Sequence, residues 1–163
     1  MSDVVQAVYS LLDEMQISYE LTEHPPVYTI EEMISVDIKH PDNVVKNLFL
    51  RDDKKRNYFL VVMDKDKQVN LKELKDKLES RPLRFASEDD LYKYLKLTKG
   101  AVTPFGVIND ENHQVAVVID NVLKSYEFIG IHPNTNTATV WIAVDDLVRL
   151  VEKQGNPVMF MDV

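Results

Sequence analysis

The strongest constraint on the fold lies in mid-chain, where two apolar runs at residues 45–50 and 58–63 flank a charged and polar turn at 52–57. Each run has strand length and is rich in Val, Leu, Phe and Tyr, so the pair reads as a β-hairpin. In an extended chain successive side chains alternate sides, which places Val44, Lys46, Leu48 and Leu50 on one face and Val45, Asn47 and Phe49 on the other. Lys46 therefore interrupts an apolar row. Either its stem snorkels to water at the strand end, or its ammonium lines a cleft and meets an anionic or carbonyl group. Asn47, next along the chain, adds an amide donor and acceptor.

Around the hairpin the pattern mixes helix and strand. Val4, Val5, Val8, Leu11, Leu12 and Met15 recur at helical spacing. Ile17, Tyr19 and Leu21 then alternate with polar residues, which predicts a half-buried strand ending near His24. After the extended Pro25-Pro26 pair, Thr29 with Glu32 forms a capping-box pattern and opens a short helix with Ile30, Met33 and Ile34 inward. Asn70 with Glu73 and Ser87 with Asp90 mark two more helix starts. Residues 114–119, 126–131 and 138–143 read as strands, 144–154 as a helix stopped by Gly155 and Pro157, and 158–161 as an edge strand. The expected fold is α+β: one domain over 1–163 with a mixed, mostly antiparallel sheet flanked by helices.

Composition narrows the chemistry. The 163 residues include no cysteine, which excludes a disulfide scaffold, thiol catalysis and Cys-ligated metal. Only four glycines occur, so neither a G-x-G-x-x-G turn nor a P-loop can be written. His24, His40, His113 and His132 lack H-x-x-x-H spacing and no serine sits in a G-x-S-x-G elbow, so no metal site or serine triad is expected. No apolar run reaches the roughly 18 residues of a membrane span, and residues 1–6 lack a signal-peptide start; a cytoplasmic setting is expected. The net charge of −8 argues against a nucleic-acid partner at first sight, yet residues 39–99 hold sixteen basic against eleven acidic residues.

Two further stretches stand out. Gly100-Ala101-Val102-Thr103-Pro104-Phe105-Gly106 suits a tight loop or a place where backbone touches a ligand. Gly130-Ile131-His132-Pro133-Asn134-Thr135-Asn136-Thr137 reads as a hairpin loop or as a rim of imidazole, amides and hydroxyls over a pocket.

Taken with Glu23-His24-Pro25-Pro26-Val27-Tyr28-Thr29 and Val45-Lys46-Asn47-Leu48, and continued through Ile108-Asn109-Asp110 and Ala138-Thr139, these stretches resemble the freestanding prolyl-tRNA editing proteins, relatives of the editing domain inserted in bacterial prolyl-tRNA synthetase. The resemblance runs from about residue 18 to about 160. It implies a hydrolase that cleaves the ester joining a wrong amino acid, alanine above all, to the 3′ end of proline tRNA, with no cofactor and no metal. It implies catalytic roles for Lys46, which would hold the terminal adenosine or its phosphate, for Gly100, whose loop backbone would position water, and for His132. It assigns substrate contacts to Asn47, Thr29, Pro104, Phe105, Gly130, Pro133 and Asn134, with Pro104 also shaping the loop. Lys99 stands where many relatives have proline. The implied partners are the acceptor end of tRNA(Pro) and prolyl-tRNA synthetase, with no membrane. The alternatives are a deacylase for cysteine or serine and a module that holds a tRNA end without turnover. Residues near 26–33 and 129–131 are expected to wall a pocket that admits alanine and rejects the proline ring, and Lys54, Lys55 and Arg56 are expected to meet the acceptor stem if their hairpin faces it.

Overall fold

The central hairpin forms as expected, with β2 (Val45–Asp52) antiparallel to β3 (Tyr58–Asp64), Val45 opposite Asp64 and Arg51 opposite Tyr58. The structure, a computed structural model, describes residues 3–35 and 40–163. Asp52 organises the turn: its carboxylate accepts the backbone N–H of Lys54 (3.0 Å) and of Arg56 (2.9 Å) and the Asn57 side-chain amide (2.9 Å). Burial alone would raise this carboxyl's pKa. The hydrogen bonds from Arg56, Asn57 and Lys54 outweigh that effect and hold it below its ordinary value.

Every residue of β3 from Tyr58 to Met63 is buried, because the sheet is covered on both faces. Two strands follow it in parallel: β5 (Val115–Asp120) pairs with β3, and β8 (Val158–Met161) with β5 at the edge. Parallel neighbours need long crossovers, and these are supplied by α3 (Leu71–Leu78), β4 (Leu83–Phe85) and α4 (Glu88–Leu95) before β5, and by β6 (Ile129–Ile131), β7 (Ala138–Ile142) and α5 (Val144–Gln154) before β8. The five-stranded order is β4-β2-β3-β5-β8. On one face Leu50, Val61, Met63 and Val118 pack against Leu74 of α3. The other face builds the larger core with Val5, Val8 and Leu12 of α1 (Asp3–Glu14), Leu91 and Leu95 of α4, Leu147 and Leu150 of α5, and Ile131 and Val140 of the second sheet.

That second sheet has three antiparallel strands in the order β1-β7-β6, with β1 spanning Glu20–Glu23. Thus the α+β reading holds, with the strands divided between a mixed and an antiparallel sheet. The local helix signals are realised: Asn70 accepts the N–H of Lys72 and Glu73, Ser87 accepts that of Asp90, and Thr29 accepts that of Glu32 at the start of α2 (Ile30–Ser35). Of the apolar residues expected inward on α2, Met33 is buried; the side chains of Ile30 and Ile34 lie outside the described residues.

Three differences have physical causes. Leu21 is 42% exposed rather than inward, because β1 is an edge strand with a neighbour on one side only. The strand read at 126–131 shrinks to Ile129–Ile131 because its partner β7 ends at Ile142, opposite Ile129, where the chain turns into α5. The Pro104 segment is not an open loop but a buried 3-10 helix, Pro104–Asn109, capped by Thr103.

Asp52→Ala is expected to cost about 1–3 kcal/mol at neutral pH, since it strands two turn N–H groups. The folded pKa is depressed, so this contribution is fully present above the ordinary value of 3.8 and is lost as pH falls through the folded value. Urea unfolding of wild type and variant at about pH 7 and about pH 3 checks this: the stability gap must shrink at acid pH.

Candidate active site

The two sheets touch where Val44 forms an isolated parallel bridge with Gly130. Beside this bridge opens a cavity of about 230 Å³. Its walls come from the start of β2 (Lys46, Asn47), the entry to α2 (Val27, Tyr28, Thr29, Met33), the loop at Gly100 and Val102, and the second sheet (Gly130, Ile131, His132, Thr139). Small-molecule sites generally run from about 300 Å³ upward, so this one suits the small end of a substrate rather than a whole nucleotide.

Lys46 is half-buried and its ammonium donates to the backbone carbonyl of Lys67 at 2.6 Å. Among the described residues no other acceptor meets this ammonium, which leaves two of its three N–H donors for the cavity. Asn47 lies on the opposite face, and its Oδ1 is buried without a hydrogen-bond partner among the described residues. A buried acceptor left without a partner is rare in a folded protein, and this one belongs to a residue that lines the cavity.

Two glycines shape the walls. Gly100 has φ +90°, a conformation costly for any side chain, and a Cβ there would lie 2.6 Å from Tyr28 Cδ1. Gly130 packs its Cα face against the Trp141 ring, which leaves no room for a methyl group. Trp141 is itself fixed by donating its indole N–H to Thr22 Oγ1 at 3.0 Å.

The imidazoles form a pair, His24 and His132, with ring centroids 6.0 Å apart. His132 Nδ1 lies 2.9 Å from the carbonyl of Ala138, which can only accept, so in the neutral ring Nδ1 carries the proton and Nε2 offers a lone pair. The same logic holds at His24: Nδ1 donates to Pro25 O at 2.9 Å, and Nε2 accepts from the Thr139 hydroxyl at 2.9 Å. Burial pushes the His132 pKa below the ordinary imidazole value, and the neighbouring His24 adds to this against the opposing Ala138 hydrogen bond.

Of the residues expected at the site, Lys46, Asn47, Thr29, Gly100, Gly130 and His132 all line this one cavity. Pro104 and Phe105 do not line it; both are buried, and Phe105 belongs to the larger core. Pro133 is buried behind the His132 loop, and Asn134, at φ +60°, donates to the Val4 carbonyl at 3.2 Å, tying that loop to α1. Thr139 and Val44 line the cavity without having been assigned a role at the site. Thr139 is visible in hindsight as the polar residue within the apolar strand Ala138–Ile142. The cationic hairpin tip lies at the far end of β2: six residues separate Lys46 from Asp52, about 20 Å of strand.

The model of the aminoacyl-tRNA editing domain family matches residues 24–150. This chain belongs to that family. The editing domain is 56% identical over 154 residues to the prolyl-tRNA editing protein ProX of Acetoanaerobium sticklandii, covering 94% of each chain. It is 38% identical over 150 residues to the prolyl-tRNA synthetase associated domain-containing protein 1 of Mus musculus, covering 89% of this chain and 88% of that one. A crystal structure described as a candidate trans-editing enzyme for prolyl tRNA synthetase superposes with a TM-score of 0.74 at 19% identity, over 99% of this chain and 97% of the other.

Two measurements probe the geometry of this editing domain. Gly100→Ala should destabilise the fold by about 1–3 kcal/mol through backbone strain. Because Tyr28 is 60% exposed and free to swing away, adding Tyr28→Ala should recover little of that loss in thermal unfolding. In an NMR titration His132 should protonate below the ordinary imidazole value of 6.5; a midpoint at or above that value would contradict the burial argument.

Proposed function

We propose that this editing domain is a trans-acting hydrolase that deacylates mischarged tRNA(Pro), alanyl-tRNA(Pro) first. The observation that carries the reading is the convergence of Lys46, Asn47, the Gly100 loop and His132 on a single small cavity in a chain of the editing family. The likeness to ProX over 94% of both chains supports proline tRNA as the substrate.

The chemistry fits the residues. An aminoacyl ester is already activated, so orientation, a placed water and stabilisation of developing negative charge suffice. Lys46 holds the terminal adenosine or its phosphate and fixes the ester; its two free N–H donors supply the contacts. Asn47 Oδ1 accepts from the substrate. The backbone at Gly100, freed of a side chain, positions the attacking water. His132, neutral at neutral pH, offers Nε2 to the aminoacyl group or the adenosine. Thr29 and Gly130 contribute to the walls, while Pro104, Phe105, Pro133 and Asn134 support the loops from behind.

Selection is assigned to the walls. Val27, Met33 and Ile131 line the cavity, and their apolar side chains set the space left for the aminoacyl group so that alanine enters and the proline ring is resisted. Rejection by size is steep, whereas preference for alanine over glycine rests on one methyl group, about 1–3 kcal/mol. No cofactor or metal enters this scheme. Residues 1–163 act as one editing unit, the acceptor end of tRNA(Pro) is the partner, and prolyl-tRNA synthetase and a cytoplasmic setting accompany that role. The net charge of −8 then limits RNA contact to the acceptor end and keeps the complex short-lived.

The test charges proline tRNA separately with alanine, cysteine, serine and proline and follows deacylation. Wild type should hydrolyse the alanyl ester and spare the prolyl ester, and Lys46→Ala should slow the reaction by about 10²–10³-fold. Hydrolysis of the cysteinyl or seryl ester alone would shift the specificity, and no hydrolysis of any ester would leave a tRNA-end binding module.

A further inference from the structure

Lys46 reaches the cavity on a long, flexible stem, and its ammonium must be held in one place to orient an ester. Its partner within the protein is the carbonyl of Lys67, 2.6 Å away. That carbonyl belongs to the turn after β3, which the hairpin register brings beside the start of β2, Asp64 standing opposite Val45.

The turn is fastened from two directions. From below, the Asp64 carbonyl accepts the Lys67 N–H at 3.2 Å, and its carboxylate accepts the Asp66 N–H at 2.8 Å and the Tyr126 hydroxyl at 3.1 Å. From the side, the Lys67 ammonium pairs at 2.9 Å with Asp120, a fully buried carboxylate at the end of β5, and lies 3.4 Å from the Val163 carbonyl. A buried carboxylate left without its cation is strongly disfavoured, so Asp120 holds Lys67 firmly. Neither Lys67 nor Asp120 lines the cavity.

We propose that the Lys67–Asp120 ion pair is a positioning device for editing: through the Lys67 carbonyl it sets where the Lys46 ammonium stands, and so the rate of deacylation. Lys67 and Asp120 are positioning residues that act through Lys46. The inference rests on the reading that Lys46 acts on the substrate.

The test replaces the pair together, Lys67→Met with Asp120→Asn, so that no charge is left buried and unpaired, and measures kcat and KM on alanyl-tRNA(Pro) in two backgrounds, wild type and Lys46→Ala. In the wild-type background kcat should fall about tenfold with KM changed less than about twofold, because a small misplacement of an orienting group costs rate. In the Lys46→Ala background the same replacement should change the rate less than about twofold, the coupling expected when one residue works through another. Lys67→Arg, which keeps the charge and the backbone carbonyl, should retain the wild-type rate within about twofold. If the double replacement lowers the folded fraction, Tyr126→Phe loosens the same turn through Asp64 and should give a smaller loss, about threefold, again absent beside Lys46→Ala. Equal losses in both backgrounds, or no loss while Lys46→Ala alone is impaired, would overturn the positioning role. A fully active Lys46→Ala would overturn the role of Lys46 and this proposal with it.

Discussion

Two sheets that share no strand meet at the parallel bridge between Val44 and Gly130, and the architecture of the site hangs on that contact. The approach is possible because Gly130 has no side chain and presents its Cα to the face of Trp141. Trp141 in turn is held by Thr22 on the edge strand of the smaller sheet. The bridge thus sets the spacing between the cation on one sheet and the imidazole on the other. Core burial on both faces of β3 keeps the larger sheet from shifting, so Lys46 enters the cavity from a rigid wall.

The electrostatics of the cavity are asymmetric in a way that suits an ester substrate. The start of β2 offers N–H donors on the Lys46 ammonium with the amide of Asn47 beside it, and the second sheet offers an acceptor, the Nε2 of a neutral His132. Both histidines commit Nδ1–H to backbone carbonyls, at Ala138 and Pro25, which fixes their tautomers without a carboxylate. Among the described residues, those that line the cavity include no Asp or Glu. A phosphate or a developing oxyanion therefore meets no like charge within the walls, even though the chain as a whole is acidic.

Much of this was legible locally. The capping residues Thr29, Asn70 and Ser87 announced their helices because a cap is a contact over three or four residues. The face alternation of β2 was equally local, and it marked Lys46 as a cation out of place. What the chain could not reveal by pattern was the partition into two sheets, since β1 pairs with β7 across more than a hundred intervening residues. Nor could periodicity separate Gly100 from Pro104 and Phe105: they are near neighbours in sequence, but the 3-10 turn carries the latter two into the core while Gly100 stays on the cavity wall. β4 escaped because three residues are too few to display alternation.

The pairing of Glu20 with Trp141 also bears on the order in which the molecule takes shape. The β2–β3 hairpin closes a short loop and can form early, whereas the smaller sheet must bring together segments from near the two ends of the described chain, at a much larger loss of chain entropy. Loop closure thus favours Lys46 entering its strand before His132 and Gly130 have a sheet to belong to. On the ribosome, the cavity has no second wall until β7 has emerged, so a partly made chain carries the cation without the enclosure that would give it a substrate.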